Sequence, residues 1–286
     1  MAQQGVHYFP GHMQKALRQM KEYLGVIDLV VEILDARAPL SSRNPLIASL
    51  LGNKARVVLL SKEDYADPKV TEEWISYFAN AGIPAFTANL TKGKIVGLLK
   101  NVSAPLMAKK REKEARFAMK KQPVRVMVVG IPNVGKSTFI NNVVGKKKAV
   151  VGNKAGVTRA EQWIKINEDF LLLDTPGVLP MNYADGAVAR NLALLGSMRE
   201  DVLPTYELAK ELLNRFAASY PNALEERFGI SACEGDSDEI LSAIAKKRGL
   251  LDGANPSIEK ASYLLIKEFK DGILGRISLE VPPCSN

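Results

Sequence analysis

Residues 130–137 carry the most specific chemical signal in the sequence. They read Gly-Ile-Pro-Asn-Val-Gly-Lys-Ser, which matches the phosphate-loop pattern G-x-x-x-x-G-K-[ST] at every fixed position. The glycines let such a loop curl so that its backbone N–H groups point at phosphate oxygens. We therefore expect a nucleoside triphosphate to bind here, with Lys136 reaching its outer phosphates. The expected nucleotide-binding residues of this loop are Asn133, Val134, Gly135, Lys136, Ser137 and Thr138.

A second motif offers oxygen ligands of the kind that Mg²⁺ prefers. Residues 171–177 read Leu-Leu-Leu-Asp-Thr-Pro-Gly, which predicts a strand that delivers Asp174 to its carboxyl end. We expect Asp174, Ser137 and the switch threonine Thr158 to hold Mg²⁺. The backbone N–H of Gly177 is expected to contact the γ-phosphate. Taken alone, this motif is also compatible with an ordinary turn, and Thr158 with a loop threonine of no special role.

The motifs that choose the base lie upstream of the phosphate loop. Ser61-Lys62-Glu63-Asp64 follows an apolar run and resembles the Asn-Lys-x-Asp motif of GTPases, with serine in place of asparagine. The carboxylate of Asp64 can accept two hydrogen bonds from guanine, whereas adenine offers no such pair of donors. We expect the stem of Lys62 to pack over the purine. The motif therefore predicts binding of GTP and GDP, and a surface turn is the alternative.

Two further features qualify this base site. The usual asparagine both buttresses the phosphate loop and contacts the base. Serine at position 61 is too short to do the two together, so we expect weaker affinity or selectivity for guanine. The segment Thr87-Ala88-Asn89 follows the next apolar run and resembles the loop whose backbone amide contacts the guanine oxygen. We include all three of its residues in the predicted nucleotide site.

These motifs must be positioned by regular elements. Near-continuous apolar runs predict six strands, covered on both faces as in a largely parallel sheet, at 26–34, 56–60, 83–88, 124–130, 162–166 and 170–174. Helical patterns lie between them, so the predicted fold class is α/β. The base motifs precede the phosphate loop, which is a circularly permuted order. Because chain termini usually lie at the surface and tolerate rejoining, the sheet itself is expected to be unchanged.

The pattern changes after about residue 180. Apolar residues then recur at helical spacing in 205–220, 238–248 and 258–272. The sequence predicts a circularly permuted P-loop GTPase domain over 1–182, followed by a small all-helical domain over 183–286.

Charge is unevenly distributed along the chain. The net charge is +8, yet residues 185–286 hold 12 basic and 16 acidic side chains, so the first 184 hold the other 27 and 15. An electrostatic footprint for RNA is therefore expected on the first part. Its densest basic run is 109–121, which is equally compatible with a solvated helix face and with a surface that contacts phosphates. Two cysteines and no long apolar run favour a cytoplasmic protein without a membrane anchor.

The whole chain resembles the YlqF/RbgA family of circularly permuted GTPases of ribosome assembly. The resemblance includes Phe9-Pro10-Gly11-His12-Met13, Asp35-Ala36-Arg37 and Ser42-Arg43-Asn44-Pro45, besides the motifs above. It implies a helical C-terminal domain that binds RNA. It also implies binding to the precursor of the large (50S) ribosomal subunit, with its rRNA and proteins, late in maturation. We expect a monomer.

The resemblance also suggests how hydrolysis proceeds. In Ras-like enzymes a glutamine after the Asp-x-x-Gly motif orients the attacking water, but here that position is Val178, which cannot do so. The family implies that His12 takes this catalytic role, either as an acceptor or as a base. Asn133 resembles the asparagine that helps to bind K⁺ in potassium-activated GTPases, and a purely loop-shaping asparagine is the alternative.

Two classes of function remain open at this point. One is an enzyme that hydrolyses GTP as a late checkpoint of large-subunit assembly. The other is a binding module whose affinity for RNA or protein is switched by GTP and GDP, with incidental turnover. Stimulation of turnover by ribosomal particles distinguishes the two. Within the enzyme class, a GTPase that works on another RNA or at a membrane is a third interpretation, and the lack of an anchor argues against the membrane.

Overall fold

The structure is a computed structural model that describes residues 11–92, 95–145, 150–151, 163–175, 177–179, 186–198, 203–232 and 235–283. The described residues divide into two units. The first takes the chain up to Glu63, from Pro68 to residue 184, and from Glu280 onward. The second comprises Asp64–Asp67 and residues 185 to Leu279.

The first unit contains a mostly parallel sheet, as predicted. The strands are β1 (Leu29–Asp35), β2 (Arg56–Ser61), β3 (Ala85–Thr87), β4 (Val124–Val129), β5 (Val150–Val151), β6 (Trp163–Lys165) and β7 (Phe170–Asp174). Their spatial order is β3-β2-β1-β4-β7-β6-β5. All six predicted strands are present, and the two-residue β5 extends one edge. The pairs among β3, β2, β1, β4 and β7 are parallel, whereas β6 runs antiparallel to both of its neighbours.

Helices alternate with these strands. Those of the first unit are α1 (Gly11–Tyr23), α2 (Pro45–Leu51), α3 (Pro68–Asn80), α4 (Ile95–Ser103), α5 (Ala108–Arg116) and α6 (Lys136–Val144). Every residue of β1 is buried, in agreement with its near-continuous apolar sequence and with a sheet covered on both faces. None of the described helices is both long and apolar enough to cross a membrane.

Residues from Glu280 onward belong to the first unit, although they follow the second in sequence. The carboxylate of Glu280 accepts hydrogen bonds from the backbone N–H groups of Leu40, at 2.9 Å, and Ser41, at 3.0 Å. The Ser41 hydroxyl donates to the same carboxylate, and the Trp74 indole donates to the Glu280 carbonyl at 3.3 Å. One carboxylate thus satisfies several donors of the β1–α2 loop.

The second unit is mainly helical. It contains α7 (Gly186–Leu194), α8 (Thr205–Ser219), α9 (Asn222–Phe228), α10 (Ser237–Arg248) and α11 (Ile258–Lys270), with a small hairpin of β8 (Leu251–Asp252) and β9 (Asn255–Pro256). Its core includes Leu212, Phe216 and Leu265, each fully buried. Local signals set the helix starts: Asp236 and Glu239 form a capping box at α10, and Ser257 caps α11. The segment Asp64–Asp67 joins this unit, since Ile277 N–H donates to the Tyr65 carbonyl at 2.9 Å.

The parallel strands of the first unit place the predicted motifs at one edge of the sheet. β2, β3, β4 and β7 end at Ser61, Thr87, Val129 and Asp174, respectively. Because carboxyl ends of parallel strands share an edge, motifs far apart in sequence are brought together there.

Candidate nucleotide-binding site

The predicted phosphate loop connects β4 to α6, and its lysine is hydrogen-bonded to the loop's own backbone. Val134 is buried within the loop, whereas Asn133, Ser137 and Thr138 are at least partly exposed. The Nζ of Lys136 donates a hydrogen bond to the Ile131 carbonyl at 2.7 Å. Such a loop offers backbone N–H groups, two hydroxyls and an ammonium to one anion.

The nearby charge of Asp174 only partly compensates the burial of the Lys136 ammonium. Burial lowers the pKa of its ammonium to about 8, although the negative charge of Asp174 acts in the opposite direction. Asp174 is exposed at the end of β7, and the pKa of its carboxyl is shifted in the opposite direction. Desolvation raises the pKa of its carboxyl, and the charge of Lys136 opposes that rise. A cation whose charge is disfavoured by burial gains from the approach of a polyanion.

The backbone of Gly177 packs directly against the phosphate loop. A Cβ at this position would lie 2.7 Å from the Lys136 Nζ and 3.0 Å from the Pro132 N. The next residue, Val178, donates its N–H to the Gly130 carbonyl at 3.4 Å. The hydroxyl of Thr175 donates to the Val128 carbonyl. The described residues of the Asp-Thr-Pro-Gly segment therefore contact β4 and the phosphate loop.

Ser61 links the base motif to the phosphate loop. Its side chain is fully buried, and its hydroxyl oxygen lies 2.6 Å from the Val134 carbonyl oxygen and 3.0 Å from that of Leu34. With one proton, the hydroxyl donates to one of these carbonyls at a time. Serine is too short to buttress the loop and also contact the base, and the structure places its hydroxyl in the buttressing position.

The second base segment also reaches the phosphate loop. Ala88 is buried and Asn89 accepts a hydrogen bond from the Thr91 N–H at 3.0 Å. The carbonyl of Leu90 accepts from the Asn142 side chain on α6 at 3.0 Å. A Cβ on Gly135 would lie 2.8 Å from the Leu90 Cδ1 and 3.7 Å from the Ser61 Cβ. Three motifs thus meet at position 135, where the φ of +105° favours glycine.

Lys62 has a partner that its motif does not reveal. Its Nζ lies 3.0 Å from the Asp35 Oδ2, and Asp35 also forms a two-pronged pair with Arg37, whose Nε and Nη2 each lie 2.9 Å from a carboxylate oxygen. Burial alone would raise the pKa of Asp35, but the charges of Arg37 and Lys62 hold it well below its usual range. The ammonium of Lys62 is thereby fixed at the end of β1.

Three other residues belong to the predicted site, and the structure describes the side chain of one of them. Asp64 is exposed and belongs to the second unit. Thr158 lies outside the described residues. His12 lies in the first turn of α1, and its side chain is outside the described part of the structure.

Comparisons with known proteins agree with this geometry. A family model described as 50S ribosome-binding GTPase matches residues 125–212. The chain is 39% identical over 278 residues to Ribosome biogenesis GTPase A of Bacillus cereus, which covers 97% of this chain and 94% of that relative. The corresponding protein of Thermotoga maritima is 34% identical over 276 residues, with 96% and 94% covered. The chain belongs to the ribosome biogenesis GTPase A family.

Solved structures of the family share this fold. The GNP-bound YlqF from T. maritima superposes with a TM-score of 0.65 at 31% identity, covering 94% of this chain and 98% of that one. A GDP-bound YlqF gives 0.67 at 30% identity, covering 93% and 99%. The predicted YlqF/RbgA resemblance and the circularly permuted GTPase fold are thus confirmed. The chain is a GTPase with a role in ribosome assembly.

Asn44 contacts the segment after Gly177, although the nucleotide motifs do not point to it. It is 2% exposed, and its side-chain amide donates to the Val178 carbonyl at 2.8 Å. Its side-chain oxygen accepts from the Leu46 N–H at 2.9 Å, capping α2. One amide therefore ties the start of α2 to the segment after Gly177. The sequence signals at this position are the Asn-Pro pair, which predicts a helix start, and the family resemblance of residues 42–45, and neither indicates the partner.

We expect Asn44→Ser to lower kcat about tenfold with little change in KM. Serine keeps the helix cap but cannot reach Val178, whose buried carbonyl then lacks its donor, at a cost of about 1–3 kcal/mol. Asn44→Asp should be worse, because it also puts a carboxylate against that carbonyl. Steady-state GTP turnover measures both, with the exposed Asn101→Asp as a charge control. An unchanged kcat in Asn44→Ser would remove Asn44 from the site.

The depressed pKa of Lys136 predicts a pH dependence of GTP binding. In the free protein the ammonium loses its proton as the pH rises through about 8, whereas bound phosphates hold the proton on. Binding at about pH 8.5 should therefore take up more than about half a proton, and binding at about pH 6.5 almost none. Calorimetry in two buffers of different ionisation enthalpy measures this number. Equal proton uptake at both pH values would contradict the assignment.

Proposed function

We propose that the protein binds the maturing large ribosomal subunit in its GTP state and hydrolyses GTP as a late assembly checkpoint. The supporting observation is the meeting of Ser61, Leu90 and Gly177 on one phosphate loop, in a chain whose relatives are named ribosome biogenesis GTPases. We further propose that it acts as a cytoplasmic monomer. In this proposal the helical unit supplies RNA contacts.

The nucleotide would be held at both ends. Lys136 and the loop N–H groups around Val134 and Thr138 bind the phosphates, and the Gly177 N–H contacts the γ-phosphate. Asp64 accepts the two guanine donors, Lys62 packs on the base, and the Thr87–Asn89 segment contacts the guanine oxygen. Ser61 is proposed to support the phosphate loop rather than the base.

The residues present suit a magnesium ion. Among the described residues no cluster of three or more His, Cys, Asp or Glu is poised to hold a metal. The exposed Asp174 carboxylate and the accessible Ser137 hydroxyl are, however, the oxygen donors typical of Mg²⁺ held jointly with phosphates. We propose these two and Thr158 as its ligands, and Asn133 as a ligand of K⁺. Bound Mg²⁺ would neutralise charge that develops on the phosphates.

Hydrolysis needs a group that positions water, and Val178 is not that group. It is fully buried and apolar. We propose that His12 orients the water or takes its proton, in a position that is completed on the ribosomal particle. Slow turnover in the free protein and fast turnover on the particle follow from this arrangement.

The decisive experiment compares GTP turnover of the free protein with turnover in the presence of purified large-subunit precursors. We expect strong stimulation, together with co-sedimentation that is tighter in the GTP-analogue state than in the GDP state. If no ribosomal particle stimulated turnover, the checkpoint would be wrong. Nucleotide-dependent co-sedimentation without stimulation would favour the switched binding module.

His12→Ala should reduce particle-stimulated kcat by about 100- to 10,000-fold, the usual contribution of general acid–base catalysis, while GTP affinity is unchanged. His7→Ala is the matched control, because His7 and His12 are the two histidines of the chain. Full turnover in His12→Ala would exclude it from the mechanism.

A further inference from the structure

The turn that follows α5 exposes an aromatic ring next to cationic side chains. Phe117 and Met119 are 61% and 50% exposed, respectively. The guanidinium carbon of Arg116 lies 5.8 Å from the centre of the Phe117 ring. We call residues 113–121 the basic turn, since they also include three lysines, namely Lys113, Lys120 and Lys121.

The basic turn has a defined backbone. Ala118 has a φ of +46°, a left-handed backbone conformation that residues other than glycine rarely adopt. The Met119 N–H donates to the Glu114 carbonyl at 2.8 Å, and the buried Glu114 carboxylate accepts from Arg111 at 2.7 Å. Strained residues of this kind persist only where surrounding contacts fix them, and they concentrate at functional sites. These contacts therefore fix the backbone that keeps Phe117 exposed.

Much of the positive charge here is not neutralised. Among the residues that the structure describes, Lys113, Arg116 and Lys120 lie in no ion pair with a carboxylate, whereas Lys121 is 2.5 Å from Asp169. Of the two acids on α5, Glu114 is already engaged by Arg111. The turn thus keeps a local excess of positive charge beside its ring.

A cavity of about 240 Å³ adjoins the basic turn and shares Lys121 with it. Its apolar wall includes Met107, Val124 and Phe170. Its polar wall includes Lys100, Arg111, Lys121 and Asp169, whose carboxylate pairs with both lysines. Val124 and Phe170 are the first residues of β4 and β7, so the cavity lies at the opposite edge of the sheet from the phosphate loop. Six residues of β4 separate the two edges, about 20 Å.

We propose that the basic turn and this cavity form a contact surface for single-stranded RNA. An exposed ring next to several cations is the arrangement on which unpaired bases stack while their phosphates are neutralised. An apolar cavity whose polar rim has three cations to one carboxylate can take a base that is splayed out of a loop. A single strand supplies both unpaired bases for the ring and phosphates for the cations, so it matches both features of this surface. The inference rests on the proposed function in that the RNA would belong to the ribosomal particle.

The test uses the full-length protein and a labelled oligoadenylate of about 12 nucleotides, with binding followed by fluorescence anisotropy. Phe117→Ala should weaken binding at least about fivefold, because stacking on an aromatic side chain contributes about 1–3 kcal/mol per base. Lys113→Gln with Lys120→Gln should lower the slope of log affinity against log salt by about 1.4, since each phosphate that a lysine neutralises on a single strand contributes about 0.7. The basal GTPase rate should not change in any variant.

Two matched controls separate this surface from general charge and exposure. Leu98→Ala removes an apolar side chain that is 42% exposed on α4 of the first unit, and Lys21→Gln with Lys69→Gln removes two exposed cations of the same unit. Both should bind the oligonucleotide like the wild type. Unchanged RNA affinity in Phe117→Ala, or equal losses in the controls, would overturn the proposal and favour a merely solvated helix face.

Particle assays distinguish a failure of this surface from a failure of the proposed function. If the wild type binds precursor particles and is stimulated by them while Phe117→Ala does so equally well, the surface is wrong and the checkpoint stands. If Phe117→Ala loses oligonucleotide affinity but wild-type turnover is unaffected by particles, the surface stands and the checkpoint is wrong.

Discussion

Lys136→Ala is expected to weaken GTP binding at least about 100-fold. The ammonium is positioned by the Ile131 carbonyl and is poorly compensated, so it is available to form charge-assisted hydrogen bonds with a triphosphate. Each such bond contributes about 1.5–3 kcal/mol, and about 2.7 kcal/mol corresponds to a factor of about 100. Calorimetric titration with a non-hydrolysable GTP analogue measures the loss.

The same substitution should leave the fold intact. Because burial disfavours the charged form of Lys136, its removal is not expected to lower the melting temperature of the free protein. Lys54→Ala is the matched control, since the Lys54 Nζ likewise donates to a backbone carbonyl, that of Ile27, at 3.0 Å. Unchanged GTP affinity in Lys136→Ala would refute the phosphate-loop assignment.

Gly177→Ala should reduce kcat about 100-fold with the fold preserved. The new methyl group would meet the Lys136 Nζ and the Pro132 backbone, so either the lysine or the segment after Asp174 must move. Displacements of about 1 Å in a catalytic arrangement can cost a factor of about 100 in rate. Single-turnover hydrolysis separates this loss from a change in affinity.

Gly25 and Gly97 provide controls for that experiment. An added Cβ at either position has no neighbour within 4 Å, and neither glycine has a left-handed backbone. Alanine at these positions should leave turnover unchanged. If Gly177→Ala hydrolysed GTP at the wild-type rate, the contact between this segment and the phosphate loop would have no part in catalysis.

The sequence was sufficient to predict the sheet and the phosphate loop because each depends on local signals. Buried parallel strands read as apolar runs, and the loop of residues 130–137 has fixed glycines and a fixed lysine. The order of the motifs predicted a circular permutation that leaves the sheet unchanged. Contacts of Ser61 with Val134 and of Leu90 with Gly135 follow once β2, β3 and β4 lie in one parallel sheet.

Long-range partners could not be predicted in the same way. Asn44 is recognisable as a helix cap, but its bond to Val178 joins residues 134 positions apart. The motif that contains Lys62 predicts a contact with the base and does not predict its pairing with Asp35. The hairpin Leu251–Pro256 lacks an alternating pattern, because two-residue strands are too short to show one.

The contact between Glu280 and the loop at Leu40 and Ser41 has a consequence for synthesis of the protein. A nascent chain emerges from its N-terminus, yet the first unit obtains this carboxylate only after the whole second unit has been translated. The β1–α2 loop, which also carries Asn44, is thus completed last. A nascent chain that has exposed every nucleotide motif still lacks these hydrogen bonds of the β1–α2 loop until Glu280 has been synthesised.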